Sequence, residues 1–499
     1  MTATIVSNLP VFVVIAPLFV AFVLSTFARR IRLVESLVIS VLALGVLGAG
    51  YLGSLVLAKN GIPIIYSMGG RPAPWGIELV VGSLSAFFLL LVSGISLPVA
   101  LSTVANMAHE VGGSVRTARF YVLYLLLVGS LAGMAVTNDL FNVFVLVEVA
   151  TLSCCGLVSS CRHPRAAEAT FNYLILATLG SALILGGIGF LYIITGHLNM
   201  GFASLELGRI WQDYPHVVWI AAGFLLVGFG VKSALFPLHV WLPDAHSTAP
   251  SPASAILSGL AVKGYMICLI KVLYSVFGAT LIREFALDRI VALLGMVAII
   301  AGSLLAMAQD ELKRRLAFST VAQVGYVFLG LGHVNVHSLT GTLFHIASHA
   351  VIKSGLFLAA GAIIGATGIT RISEMAGIGE KMPITMAAFT IGSLGMVGIP
   401  LFSGFVGKWH LLAGSLTEGS TLAPLVIVAG SVLAAAYLFP IIRTAYFEQA
   451  RAIDGQDPGA PQRIALILLA AGVVILGIAP GPFLELAGRA AVELLSRSP

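Results

Sequence analysis

Apolar stretches of about twenty residues recur from one end of the chain to the other, separated by short polar loops. Each is long enough to cross a hydrocarbon core of ~30 Å as a helix, whereas barrel strands are half that length and alternate. The pattern predicts about fourteen spans, near 5–27, 33–58, 78–102, 118–136, 139–159, 168–195, 216–238, 249–277, 288–307, 315–333, 338–365, 383–412, 423–446 and 464–486. Spans five and ten are the least distinct. Stretches 59–77 and 447–463 are the longest polar runs and read as loops, so residues 1–499 form a single membrane domain. The expected fold is an all-α polytopic membrane protein.

Composition agrees. With 59% hydrophobic and 10% charged residues, the chain cannot cover itself with a hydrated surface, and the bilayer must be its main solvent. The first apolar run is followed, not preceded, by Arg29, Arg30 and Arg32, the wrong polarity for a cleavable signal, so it reads as the first span. The net charge of +6 does not imply a nucleic-acid partner, because the basic residues are spread over many short loops. They concentrate in the loops after odd-numbered spans, for example Arg116, Arg119, Arg371 and Lys381. Those loops then face the cytoplasm and both termini face outward, in a cell inner (plasma) membrane. Cys154, Cys155, Cys161 and Cys268 have no metal-ligand spacing and read as small buried hydrophobes. Iron–sulfur, haem and flavin signatures are absent. No cofactor or catalytic redox centre is therefore expected, and any redox chemistry belongs to another chain.

Two spans echo one another. The seventh reads GFGVKSALFPLHVWLPDAH, with Lys232 five residues before Pro237; the twelfth reads GSLGMVGIPLFSGFVGKWH, with Pro400 eight residues before Lys408. Proline removes a backbone donor and clashes with the preceding turn, so both helices are expected to break in mid-membrane. Broken helices are tolerated there only against protein or water. They fit two repeated halves, each with a hydrated cavity; the plainer alternative is two ordinary kinks.

A charge at the bilayer centre costs ~2.5–3.5 kcal/mol on insertion scales, so each ionisable residue within a span needs a partner or water. Glu148 lies in mid-span with no basic residue one turn away in its own helix. Lys232 is its natural partner, either as a separable pair that switches proton affinity or as a static structural ion pair. Asp139 reads as an end-of-helix group. Lys263 sits between Gly259 and Gly264, which leave room for water or a close helix; Lys271 reads as snorkelling. In FHIASHAVIKSGLFLAAG, His345, His349 and Lys353 fall at successive i, i+4 positions and form one polar stripe. A proton relay suits such a stripe. The alternatives are packing histidines or a zinc site, which wants a third anionic ligand the stripe does not supply. His239, Asp244 and His246 flank the first break and either link the cavities or satisfy exposed backbone. Lys313, Arg314 and Arg315 read as a cytoplasmic loop cluster.

Taken together, TNDLFNVFVLVE, GVKSALFPLHVWLPDAH, LAVKGY, DELKRRLAFSTVAQVGY, FHIASHAVIKSGLFLAAG and GIPLFSGFVGKW resemble the antiporter-like membrane subunits shared by Mrp-type cation/proton antiporters, respiratory complex I and membrane-bound hydrogenases. The resemblance covers essentially the whole length. It implies helices 1–3 over 1–105, a first five-helix repeat over 118–277, an inverted second repeat over 288–446, and helix fourteen over 464–486. It also implies roles: Glu148 with Lys232 as a pair, Lys263 as central bridge, His345, His349 and Lys353 as second relay, Lys408 as terminal lysine. Lys408 and GIPLFSGFVGKW look most like the D-type subunit of Mrp antiporters; PLHVWLPDAHSTAPS leans toward complex I and hydrogenase relatives. Two features depart from the family. The chain stops soon after helix fourteen, without a long lateral helix, and Gly82 and Ser83 stand where relatives often carry an aspartate.

The function so implied is a proton- or cation-translocating subunit of a multisubunit complex, carrying protons or Na+, a choice the sequence leaves open, with other membrane subunits and the lipid bilayer as partners. The rival of another class is a non-transporting assembly scaffold.

Overall fold

In the computed structural model, residues 2–104, 107–161, 163–448 and 455–496 are described. In chain order they form α1 (Thr2–Thr26), α2 (Ile31–Ala58), β1 (Ile64–Ser67), β2 (Glu78–Val81), α3 (Ser83–Thr103), α4 (Met107–Val111), α5 (Ser114–Val136), α6 (Leu140–Ser159), α7 (Ala166–Thr195) and α8 (Met200–Ile210). There follow α9 (Pro215–Lys232), α10 (Trp241–Thr248), α11 (Ser251–Ile256), α12 (Val262–Val272), α13 (Gly278–Glu284), α14 (Leu287–Met307), α15 (Leu312–Gly332) and α16 (Val336–Thr367). The last are α17 (Ile378–Lys381), α18 (Pro383–Val397), α19 (Ser403–Thr417), α20 (Leu422–Phe447), α21 (Ala460–Ile478) and α22 (Gly481–Ser496).

Among the described residues twelve helices are long and apolar enough to cross a membrane, with α11 to α13 counted as one run. The other two predicted spans are α15, whose polar groups lie buried inside the bundle where protein meets them, and the interrupted pair α18 and α19. These two bring the twelve to the fourteen expected. α15 is clamped to α14 by glycines on both helices: a Cβ on Gly295 would stand 2.3 Å from Leu329 N, and one on Gly302 2.5 Å from Ala322 N.

Three elements differ from the sequence reading. The polar run 59–77 contributes β1, which pairs antiparallel with β2 from Ile64↔Val81 to Ser67↔Glu78. Helix fourteen ends at Ile478, not 486, and α22 begins at Gly481. α22 is amphipathic, burying Leu486, Ala487, Ala490, Ala491 and Leu494 against α3 and α16. Its Arg489 donates to Leu57 O at the end of α2 (3.2 Å), and its Glu493 accepts from Ser83 Oγ at the start of α3. Each charge thus meets the helix end whose dipole it complements. A carboxylate therefore does sit beside Ser83, but it comes from α22.

The loops that follow odd-numbered spans gather at one end. There Glu110, His163, Arg165, Asp244, Glu311, Arg314 and Thr370 line one cavity of about 720 Å³. At the opposite end Glu78 accepts from Asn138 and Asn199 (3.0 and 3.3 Å), tying the hairpin to the bundle.

Candidate functional site: a row of buried cations

Both Gly/Pro-interrupted spans are broken. α9 ends at Lys232, and residues 233–240, with Ala234 at φ 56°, separate it from α10. α18 ends at Val397, and residues 398–402, with Gly398 at φ 89° and Leu401 at φ 77°, separate it from α19. Pro237 and Pro400 lie inside the breaks. The left-handed residues interrupt the helix at each break, and the freed carbonyls become acceptors.

Those acceptors and nearby hydroxyls hold the lysines. Lys232 Nζ donates to Glu148 Oε1 on α6 (3.2 Å) and to Thr151 Oγ1 one turn on (2.7 Å). Glu148 also accepts from Ser181 Oγ of α7. The Lys232 side chain is sealed from solvent, while that of Glu148 is 31% exposed on the flank of the bundle. Thr151 continues to Tyr265 (3.3 Å) on α12, whose ring lies 5.9 Å from Lys232 Nζ.

Lys263 follows a π turn at Leu257–Ala261 and donates to Ser258 O within it. Ser258 Oγ meets Thr320 Oγ1 of α15 at 2.9 Å. Gly259 and Gly264 serve close helix packing, not water: a Cβ on Gly259 would strike Ser354 of α16, and one on Gly264 would strike Leu131 of α5. A second π turn, Leu273–Phe277, follows Lys271, which donates to the carbonyls of Thr137 and Ala135 at the end of α5. Lys271 therefore caps a helix C-terminus.

On α16 the predicted stripe is intact. The His345 and His349 rings are 6.0 Å apart and nearly parallel at 18°, and Lys353 donates to Leu316 O and Ser319 Oγ of α15. His349 lies within electrostatic range of Lys263, Lys353, His345 and Lys408. None of the four ring nitrogens of His345 and His349 has a protein partner among the described residues. Buried nitrogens of that kind call for water. No group of three or more His, Cys, Asp or Glu able to hold a metal occurs among the described residues. Tyr326 bridges the stripe to Lys408: its ring is 5.2 Å from that of His345 and 4.7 Å from Lys408 Nζ. Lys408 Nζ donates to Met396 O, Val397 O and Ser431 Oγ, each at 3.0 Å.

The residues around the first break divide. His246 is buried with its ring 4.6 Å from that of Phe357, within electrostatic range of Lys353, Lys313 and Lys263. His239 stacks on Phe236 at 5.2 Å. Asp244 turns to the cavity and pairs with Arg314 at 2.8 Å. Lys313 and Arg315 are not solvated loop residues: Lys313 donates to Ala249 O (3.0 Å), and Arg315 to Gln309 O and Tyr437 O. Asp139 caps α6, accepting from Asn142 N at 2.7 Å.

Buried lysines held by a carboxylate, carbonyls and hydroxyls thus lie with aromatic rings and imidazoles inside an apolar bundle. Residues 137–434 match the family described as NADH:quinone oxidoreductase/Mrp antiporter, TM. The chain belongs to that family. Among its relatives is the N-type subunit of the NADH-quinone oxidoreductase of Desulforudis audaxviator, 37% identical, with 95% of this chain and 96% of that one aligned. The D-type subunit of the Na(+)/H(+) antiporter of Alkalihalophilus pseudofirmus is 28% identical over 98% and 97%. Among solved structures, a chain of the membrane-bound sulfane sulfur reductase, an archaeal respiratory membrane complex, superposes with TM-score 0.90 at 28% identity, covering 98% of each chain. These likenesses to antiporter and oxidoreductase subunits agree with the family read from the motifs.

The sequence missed the hydroxyl-bearing residues that surround the ionisable groups. Thr151, Ser181, Ser258, Ser319, Thr320 and Ser431 look like ordinary small residues in apolar helices. Only Thr151, one turn after Glu148, carried a signal.

Proposed function

We propose that this chain is the ion-translocating subunit of a multisubunit membrane complex, and that it moves protons along Glu148/Lys232, Lys263, His349/His345/Lys353 and Lys408. The observation that supports the reading is the set of buried lysines and histidines inside the bundle, with Lys232 paired to Glu148 and Tyr326 lying between His345 and Lys408. Helices four to eight and nine to thirteen act as two inverted repeats with one broken helix each. The basic loops and the 720 Å³ cavity face the cytoplasm, and both termini face outward in the plasma membrane. A proton arriving at Lys263 loosens Lys232 from Glu148, since like charges repel at short range in low dielectric.

The terminal lysine and the likeness to the Na(+)/H(+) antiporter relative support a role in an Mrp-type Na+/H+ antiporter. The higher identity to the NADH-quinone oxidoreductase relative favours a second reading, a proton-pumping subunit of a complex I-like or hydrogenase-like assembly. Alanine at Lys263 or Lys353 is expected to abolish cation/proton exchange, measured in vesicles, while the purified complex keeps all its chains. Full exchange in both variants defeats the relay and leaves the assembly scaffold.

A further inference from the structure

The i, i+4 ladder of α16 continues beyond His345. One step toward the helix N-terminus it reaches Gly341, and one more reaches His337; each step turns the position by about 40°, so the ladder winds around α16 from Lys353 to His337. The side chain lacking at Gly341 is replaced from α19. A Cβ on Gly341 would stand 2.9 Å from His410 Cβ, and one on Gly407 would stand 3.0 Å from His345 Cα. α19 therefore lies flush against α16, and His410 occupies the level that α16 leaves blank. The His410 and His337 rings are 6.3 Å apart at 24°. His337 is exposed, His410 is intermediate and His345 is buried.

We infer that His410 and His337 connect the relay at His345 to water at the end of the bundle opposite the cavity, as a branch separate from Lys408. The inference rests on the relay proposed above. His345 and His337 are about 12 Å apart along the helix axis, too far for one transfer. His410, at the level of Gly341 and with its ring 6.3 Å from that of His337, stands within that gap, and ordered water completes the connection. Imidazole takes a proton on one ring nitrogen and releases one from the other, leaving the neutral ring in its other tautomer until rotation resets it. Lys408, two residues from His410 on the same helix, projects to another side of α19, where Met396 O, Val397 O and Ser431 hold it. Among the other ionisable groups near this mouth, Asp288, whose carbonyl lies against Gly332, has a buried Oδ1 without a hydrogen-bond partner among the described residues, and others are engaged. Arg283 and Asn335 bind Glu418 (3.4 and 2.9 Å), and His333 Nδ1 pairs with Leu329 O at 2.8 Å.

The test compares His410→Gln, His337→Gln and Lys353→Ala in vesicles of the whole complex. Lys353→Ala is expected to abolish transport, His410→Gln to lower it about tenfold and His337→Gln by less, with the complex intact. Zn2+ added to the His337 face is expected to inhibit the wild type by bridging the two imidazoles, and to spare His337→Gln. Transport that survives in Lys353→Ala overturns the relay itself. Loss in Lys353→Ala with wild-type rates and unchanged zinc response in both histidine variants overturns this branch alone. Should His410→Gln fail to assemble, the rate and zinc response of the exposed His337 variant decide.

Discussion

Lys232 and Lys408 stand beside equivalent breaks but are held differently. Lys232 has a carboxylate at 3.2 Å; the donor contacts of Lys408 are two carbonyls and a hydroxyl, with the face of Tyr326 beside them. A carboxylate contributes a full countercharge, whereas carbonyls and a ring contribute dipoles and a quadrupole. The first half thus holds a charge whose stability depends on a carboxylate from another helix. The second half is a row of cations without acids, in which charging one group discourages charging the next. Under the proposed relay, that asymmetry sets a direction: the pair loads, and the row on α16 and α19 passes charge along.

Glu148→Gln attacks the contrast most directly, because it leaves Lys232 sealed without its countercharge. Breaking such a pair costs about 3 kcal/mol, at the low end because Glu148 is partly exposed. Exchange in vesicles is expected to vanish, and the melting temperature of the complex to fall. Lys408 supplies the converse. Lys408→Ala strands the carbonyls of Met396 and Val397, for about 2 kcal/mol, while Lys408→Gln keeps a donor. Both are expected to stop transport, but only the alanine variant to melt markedly earlier; equal melting of the two means the dipole cage contributes nothing. Thr151→Val keeps the carboxylate and removes one acceptor from Lys232, for about 1 kcal/mol, and exchange is expected to slow several-fold. Asp244→Asn, which breaks a pair at the cavity wall, is worth under about 1 kcal/mol. Its effect is expected in the salt dependence of the exchange rate and not in melting.

The membrane fold was legible because lipid demands about twenty apolar residues for each crossing, and the breaks because Pro237 and Pro400 fall inside glycine-bearing apolar spans. The ionisable row was legible because charge in an apolar run is expensive. What stayed hidden depends on tertiary neighbours. Ser181, Ser319 and Ser431 are polar only in the sense that every serine is, and nothing in their own helices distinguishes them. Lys313 and Arg315 follow a loop and so read as solvated, yet the carbonyls of Ala249 and Tyr437 draw them inward. The π turns around Lys263 leave no compositional trace, since Leu257–Ala261 continues an ordinary helical run. α22 escaped because its apolar positions merge with the end of α21 until Pro480 and Gly481 separate them.

The interlocked glycines of α14 and α15 set a mechanical limit. With backbone against backbone at Gly295 and Gly302, these two helices behave as one strut, with no slack for sliding or rolling. Shape change in the second half then falls to rotating side chains and to the elements around this pair. A covalent staple across the α14/α15 pair should accordingly leave turnover untouched.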